Sequence, residues 1–97
     1  MRVISPKLLR QFWAVHPGVR KPLDLWLKLT QAADWSSFAD VQLLFGKRVD
    51  RYKQFVVFDI GGNKYRLIAA IHYNTGLVYI RHVLTHAEYD TDKWKER

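Results

Sequence analysis

QFVVFDIGGNKYRLIAAIHYNTGLVYIRHVL, residues 54–84, alternates short apolar runs with turn residues. The runs are rich in β-branched and aromatic side chains, which favour strands, and they are short for helices. Gly and Asn tolerate a left-handed backbone, so the segments between the runs predict tight turns. Strands are therefore predicted over residues 54–60, 64–73 and 77–84, joined as a three-stranded antiparallel meander.

Alternation along the middle strand assigns its side chains to two faces of the sheet. The odd-numbered residues form an apolar face, whereas the even-numbered ones place cations, including Arg66, among small side chains. A three-residue turn pairs Tyr73 with Leu77 and sets Arg66 opposite Leu84. A two-residue turn would shift the register by one and exchange the faces, so both registers stay open. In either case one face of the sheet is a candidate working surface.

The sequence before this segment has helical periodicity. Ser5-Pro6 is typical of a helix start, and His16-Pro17-Gly18 of a helix end. Ser37 and Asp40 have the spacing of a capping box. The predicted elements are a short strand over residues 1–4 and helices over about residues 6–16, 22–34 and 37–45. We predict a single α+β domain over residues 1–97, with the segment after residue 85 short and polar.

Composition excludes several classes of protein. A chain of 97 residues has room for one domain, and 48% hydrophobic residues supply a core, so disorder is excluded. Without cysteine there is no disulfide scaffold, thiolate metal site or thiol nucleophile. No apolar run suits a membrane span or a signal peptide, and we expect a cytoplasmic protein.

Positive charge dominates the sequence and is concentrated in its second half. The net charge is +7, and from Lys47 onward ten Lys or Arg stand against six acids. A field of this sign attracts polyanions, and interleaved aromatic residues suit single-stranded RNA. The alternatives are a charge that keeps a small protein soluble and a basic sheet edge that blocks strand addition. The candidate RNA-binding residues are Lys47, Arg48, Arg51, Lys53, Lys64 and Arg81, the last on the face opposite Arg66 in the predicted register.

The sequence contains none of the common nucleotide-binding, zinc-protease or serine-hydrolase motifs. The Gly61–Lys64 segment lies between two strands and is interpreted as a hairpin turn. The four histidines match no metal-ligand spacing, so we expect neither a metal nor a cofactor. A basic protein can still cleave RNA, because the ribose 2′-hydroxyl is the nucleophile and the protein need only move protons and stabilise charge. Arg66, His86 and Tyr89 have the required chemistry, although a surface His and Tyr more often serve only as hydrogen-bonding groups.

Several segments of the sequence resemble the HigB toxin family of type II toxin–antitoxin systems. They are Met1–Ser5, Ala33–Trp35, Val57–Ile60, Gly62–Ile68, Val78–Arg81 and Thr85–Asp90, in the family's order and spacing. The resemblance implies a RelE/ParE-type fold and a metal-independent mRNA interferase that inhibits translation by cutting messenger RNA, typically on the translating ribosome. It also implies a HigA-type antitoxin with a helix-turn-helix domain as partner.

The resemblance also implies roles for individual residues. Arg66 is similar to the phosphate-binding Arg of the superfamily, and Tyr89 to its C-terminal aromatic residue. His86 lies where relatives have either a general acid or base or a cation, and we expect it to transfer a proton. Lys64 and Arg81 are weaker matches, and Asp90 either orients His86 or ends a turn.

The competing hypothesis is a protein of the same fold that binds without catalysis, including one that poisons gyrase as the ParE branch does. Such a binder needs the basic surface but no proton-transfer group. The approach of His86 and Tyr89 to Arg66 therefore discriminates between the two, and separations beyond about 10 Å would count against catalysis.

Overall fold

The computed structural model describes residues 1–96 and has the predicted α+β class. A five-stranded sheet carries three helices on one face and a short fourth helix near one end of the sheet. The helices are α1 (Pro6–Val15), α2 (Arg20–Ala32), α3 (Phe38–Phe45) and α4 (His86–Asp90). The strands are β1 (Arg2–Ile4), β2 (Val49–Tyr52), β3 (Phe55–Ile60), β4 (Tyr65–His72) and β5 (Leu77–Thr85).

The strand order is β1-β5-β4-β3-β2, with β1 parallel to β5 and all other neighbours antiparallel. The meander therefore has four strands, and the predicted three-stranded one was too small. The missing strand, β2, has only four residues, and Asp50 and Arg51 interrupt any apolar pattern in it. It forms because its backbone pairs with β3 from Val49 to Tyr52.

The main core lies between the sheet and the three long helices. Phe58, Leu67 and Val78 of the sheet are fully buried in one cluster with Leu9 and Leu23 of the helices. This burial confirms the apolar face assigned to the odd-numbered residues of β4.

The helix ends follow local chemistry. Helix α1 starts as predicted, because the Ser5 hydroxyl accepts from the Lys7 amide at 3.3 Å and proline occupies the first helical position. The capping box predicted for α3 is wrong. The Ser37 hydroxyl makes no capping hydrogen bond, and the Asp40 carboxylate instead accepts from the Ser36 amide at 2.8 Å.

The other side of the sheet, which we call the open face, carries Arg66, Ile68 and Ala70 of β4 and Phe55 and Val57 of β3. The chain returns to this face after α4, and Trp94 covers its centre with an exposed fraction of only 4%. The prediction of a merely polar end to the chain was therefore wrong at Trp94. Arg97, the last residue of the predicted domain, lies outside the described residues.

A β-bulge sets the register of the β4–β5 hairpin. Arg66 pairs with Leu84 as predicted, but the turn end pairs His72, not Tyr73, with Leu77. The extra residue is absorbed between the Ile68–His82 and Ala69–Ile80 pairs, where Arg81 bulges out. The turn shifts the register by one residue from the predicted one, and the bulge at Arg81 shifts it back. The predicted pairing is therefore wrong at the turn and right at Arg66.

Candidate active site

Arg66 lies on the open face near the start of β4, with only 7% of its surface exposed. Its Nε donates to the Asp59 carboxylate at 3.1 Å, since Asp59 is its direct cross-strand partner in β3. Nη1 donates to the carbonyl oxygens of Asn63 and Tyr65, each at 3.1 Å, and Nη2 donates to the Asn63 side chain. The guanidinium is thereby held in one orientation by the strand pair and its turn.

These contacts also limit what Arg66 can offer to an anion. A guanidinium has five N–H groups, and among residues 1–96 four of them meet acceptors. One hydrogen of Nη2 remains for a ligand. A two-point contact between Arg66 and a phosphate therefore requires the Asn63 side chain to give up its hydrogen bond.

Tyr89 packs its ring against Arg66. The Arg66 guanidinium carbon lies 5.1 Å from the ring centroid, a cation–π distance. Trp94 stacks on the same ring at 5.2 Å and 15°, and its indole N–H donates to the Tyr89 carbonyl at 3.0 Å. Burial raises the pKa of the Tyr89 phenol, against the lowering effect of the Arg66 and Lys95 charges. Tyr89 therefore stays protonated at neutral pH, and its hydroxyl can donate a hydrogen bond.

His86 is the first residue of α4 and follows Thr85, whose side chain and backbone form a capping box with Glu88. Its amide donates to the Lys64 carbonyl at 2.9 Å, which fixes α4 to the turn that precedes Arg66. Its Nδ1 lies 2.9 Å from the Asp90 carboxylate, one helical turn away. Of the two roles considered for Asp90, the contact supports orientation of His86. The other ring nitrogen, Nε2, is directed away from Asp90.

Helix α4 carries two of the three predicted catalytic residues. His86 and Tyr89 are three residues apart on one helix, which separates their Cβ atoms by about 5–6 Å. Tyr89 in turn lies against Arg66 and so meets the 10 Å criterion. The link from His86 toward Arg66 is through the backbone, by its amide hydrogen bond to the Lys64 carbonyl.

The predicted RNA-binding residues do not form one patch. Lys53 and Arg81 lie over the Tyr52 and Tyr79 rings at 5.5 and 5.9 Å, and both tyrosines line the open face. Lys64 is exposed in the turn before Arg66. Because β5 is bulged, Arg81 lies at the sheet edge, where it contacts Tyr79 of the open face and also borders a depression beside α1, contrary to the predicted register.

The remaining predicted cations lie elsewhere. Arg51 contacts the Phe38 ring of α3 at 5.2 Å and so faces the helices. Arg48 borders a depression beside Trp26 and Phe45, also on the helix side. Lys47 is exposed in the turn that follows α3.

Sequence reasoning missed Asp59, Asn63 and Trp94 as parts of the site. Asp59 and Asn63 hold Arg66, and Trp94 holds Tyr89. The role of Asp59 was foreseeable. It lies directly opposite Arg66 on the neighbouring strand, and a buried arginine requires a carboxylate as its counterion. Among residues 1–96 no group of three or more potential metal ligands occurs, and no helix there is long and apolar enough to cross a membrane.

Residues 19–92 match the family model HigB_toxin, described as the RelE-like toxic component of a toxin–antitoxin system. The chain belongs to the HigB toxin family. This HigB-family chain is 27% identical over 93 residues to the mRNA interferase HigB of Escherichia coli O6:H1 (strain CFT073), covering 93% of the chain and 89% of that relative. A 34-residue stretch is 47% identical to the mRNA interferase HigB of Shigella flexneri, covering 35% of the chain and 33% of that relative. The family predicted from the sequence is confirmed.

Proposed function

We propose that this protein is the toxin of a type II toxin–antitoxin system and an endoribonuclease that cleaves messenger RNA. The observation that carries the proposal is the contact of an oriented Arg66 with a protonated Tyr89, whose helix α4 also carries the His86–Asp90 pair. Relatives that carry the name mRNA interferase HigB support the choice of substrate.

The proposed reaction uses the nucleophile that RNA carries. The 2′-oxygen forms a bond to the adjacent phosphorus as the bond from phosphorus to the 5′-oxygen breaks. The products are a 2′,3′-cyclic phosphate and a 5′-hydroxyl, and no water or metal enters the bond-making step. The protein has to accept the 2′-hydroxyl proton, stabilise the phosphate charge and return a proton to the 5′-oxygen.

His86 is the proposed proton acceptor. Asp90 receives the Nδ1 hydrogen bond, which fixes the tautomer and leaves Nε2 to face the 2′-hydroxyl. A histidine side chain 45% exposed is also accessible to a polymer substrate.

Arg66 and Tyr89 are the proposed charge-stabilising groups. The remaining Nη2 hydrogen of Arg66 supplies one charged hydrogen bond to the phosphate, and exchange with the Asn63 side chain supplies a second. The Tyr89 phenol keeps its proton, so it donates a hydrogen bond to the phosphate or the departing 5′-oxygen. The proton that His86 accepts from the 2′-hydroxyl is the one returned to the 5′-oxygen, which restores the neutral imidazole.

The proposal extends to the protein's surroundings. We propose that cleavage takes place on the translating ribosome in the cytoplasm and that a HigA-type helix-turn-helix antitoxin inhibits it. The positive charge of the chain supports an RNA-rich target.

The test is to induce the gene with and without its neighbouring antitoxin gene and to map messenger RNA 5′ ends soon afterwards. We expect new ends with a 5′-hydroxyl that vanish in His86→Ala and persist in His16→Ala, a histidine stacked on Phe12 in the helical layer. Growth arrest without new ends would refute the nuclease and indicate a poison of another target, such as gyrase. Normal growth with folded protein would indicate a binder without catalytic activity.

A further inference from the structure

The open face continues beyond Trp94 into a second depression that the proposed reaction does not use. Its volume is about 490 Å³, and its lining includes Gln54, Phe55, Ala70, His72, Arg81 and His82. Ala70 is four residues beyond Arg66 on the same face of β4. The backbone positions of the two residues are therefore about 13 Å apart along the strand.

The floor and one wall of the depression are flat and apolar. Ala70 pairs with Phe55 on one side and Tyr79 on the other, so its small methyl group lies between two aromatic residues. Tyr79 packs edge-on against His72, with ring centroids 5.1 Å apart. Ala70 and Phe55 are buried, each 6% exposed, whereas the His72 ring is exposed, so a planar ligand reaches the depression at the His72 and Tyr79 rings.

The opposite wall is cationic, and the β-bulge creates it. In a regular strand, adjacent residues point to opposite faces. The bulge instead lets both Arg81 and His82 line the same depression. Arg81 is exposed, and its guanidinium lies 5.9 Å from the Tyr79 ring centroid. β1 pairs only with Leu77–Tyr79, so it does not cover the edge of β5 at the bulge.

We propose that this depression is a nucleotide subsite, which binds one nucleotide of single-stranded RNA away from the scissile phosphate. A base stacks against the exposed His72 ring and the half-buried Tyr79 ring, and Arg81 contacts the adjoining phosphate. The exposed Gln54 amide, which both donates and accepts, reaches the base edge. The subsite rests on the proposed function, since it places a second part of the same RNA.

Trp94 separates the nucleotide subsite from the reaction centre. It contacts Tyr89 at 5.2 Å on one side and Phe55 at 6.3 Å on the other. RNA that occupies both places therefore crosses the Trp94 ring, and the subsite contributes to binding without touching the reacting atoms.

The experiment measures the affinity of the full chain for a roughly 12-nucleotide 2′-O-methyl RNA, which has no free 2′-hydroxyl, by fluorescence anisotropy. Ala70→Leu fills the floor, and Arg81→Gln removes the cation. The matched controls are Ala39→Leu, at an exposed alanine of α3, and Arg20→Gln, where an exposed arginine lies 5.7 Å from the Trp13 ring. The same variants are assayed for cleavage of unmodified RNA.

We expect Kd to rise about 5-fold or more in each subsite variant and less than about 2-fold in the controls, with kcat at saturating RNA unchanged. A Kd unchanged in both subsite variants, beside normal cleavage, overturns the subsite and leaves the nuclease intact. If the unaltered protein binds RNA but does not cleave it, and the subsite variants bind more weakly, the subsite is supported and the nuclease is refuted. Failure of the unaltered protein to bind this RNA overturns the subsite.

Discussion

Replacing Trp94 with alanine tests how the end of the chain builds the site. The indole is 4% exposed, stacks on Tyr89, and meets the Tyr52 and Phe55 rings edge-on at 5.4 and 6.3 Å. Its N–H also donates to the Tyr89 carbonyl at 3.0 Å. Trp94→Ala removes all of these contacts and uncovers Val57 and Ile68 beneath them.

The expected loss follows from the burial of the ring. Removal of a buried Trp side chain costs about 3–5 kcal/mol, and we expect a value near 3 because Trp94 covers a small second cluster, not the main core. In a domain of this size that corresponds to a fall in Tm of roughly 12–24 °C. Trp94→Phe keeps an aromatic ring but loses the hydrogen bond, and should cost about 1–2 kcal/mol.

The assay is chemical denaturation followed by far-UV circular dichroism, with Leu43→Ala as the control because that side chain is 86% exposed. Cleavage is measured at a temperature where every variant is folded. The cleavage rate should fall further in Trp94→Ala, which loses all stacking on Tyr89, than in Trp94→Phe, which keeps a ring there. A loss below about 1 kcal/mol for Trp94→Ala would refute the reasoning, since it would mean that the ring is not packed on the sheet.

Three further results are expected. Arg66→Gln should lower kcat about 100-fold or more in single-turnover cleavage, because the charged phosphate contact is lost; unchanged turnover would remove Arg66 from the site. Asp90→Asn should lower kcat about 10-fold or more while the urea midpoint stays constant, since this carboxylate is 60% exposed and its main contact is His86. Equal activity would leave Asp90 as a turn residue. Burial raises the Tyr89 pKa, so the unfolded chain releases this proton first, and stability falls as pH rises above about 10. Urea midpoints between about pH 9 and 11 should fall less steeply in Tyr89→Phe, and an unchanged slope would contradict the shift.

Much of the fold was predictable because its determinants are local. The alternation along β4 placed Arg66 on the face away from the core, and Ser5-Pro6 located the start of α1. The errors come from tertiary pairing. β2 has no apolar pattern of its own, and the bulge at Arg81 appears only when β4 and β5 are aligned.

The candidate site was predictable in its chemistry but not in its support. Arg66, His86 and Tyr89 were chosen by type, whereas the residue that holds Tyr89 lies in a polar segment where a single Trp forms no pattern. The start of α4 was foreseeable, because Thr85 and Glu88 have the spacing of a capping box. With that helix in place, the separation of His86 and Asp90 predicts their contact.

The most direct test of the central claim is to offer the purified protein two messenger RNAs on ribosomes. They differ only by a 2′-deoxy substitution at the nucleotide before the mapped cut. We expect cleavage of the unmodified RNA to a 5′-hydroxyl end, and no cleavage at the substituted position, because the nucleophile is missing. Continued cleavage of the 2′-deoxy RNA, or a 5′-phosphate on the product, would show that water is the nucleophile and would contradict the account.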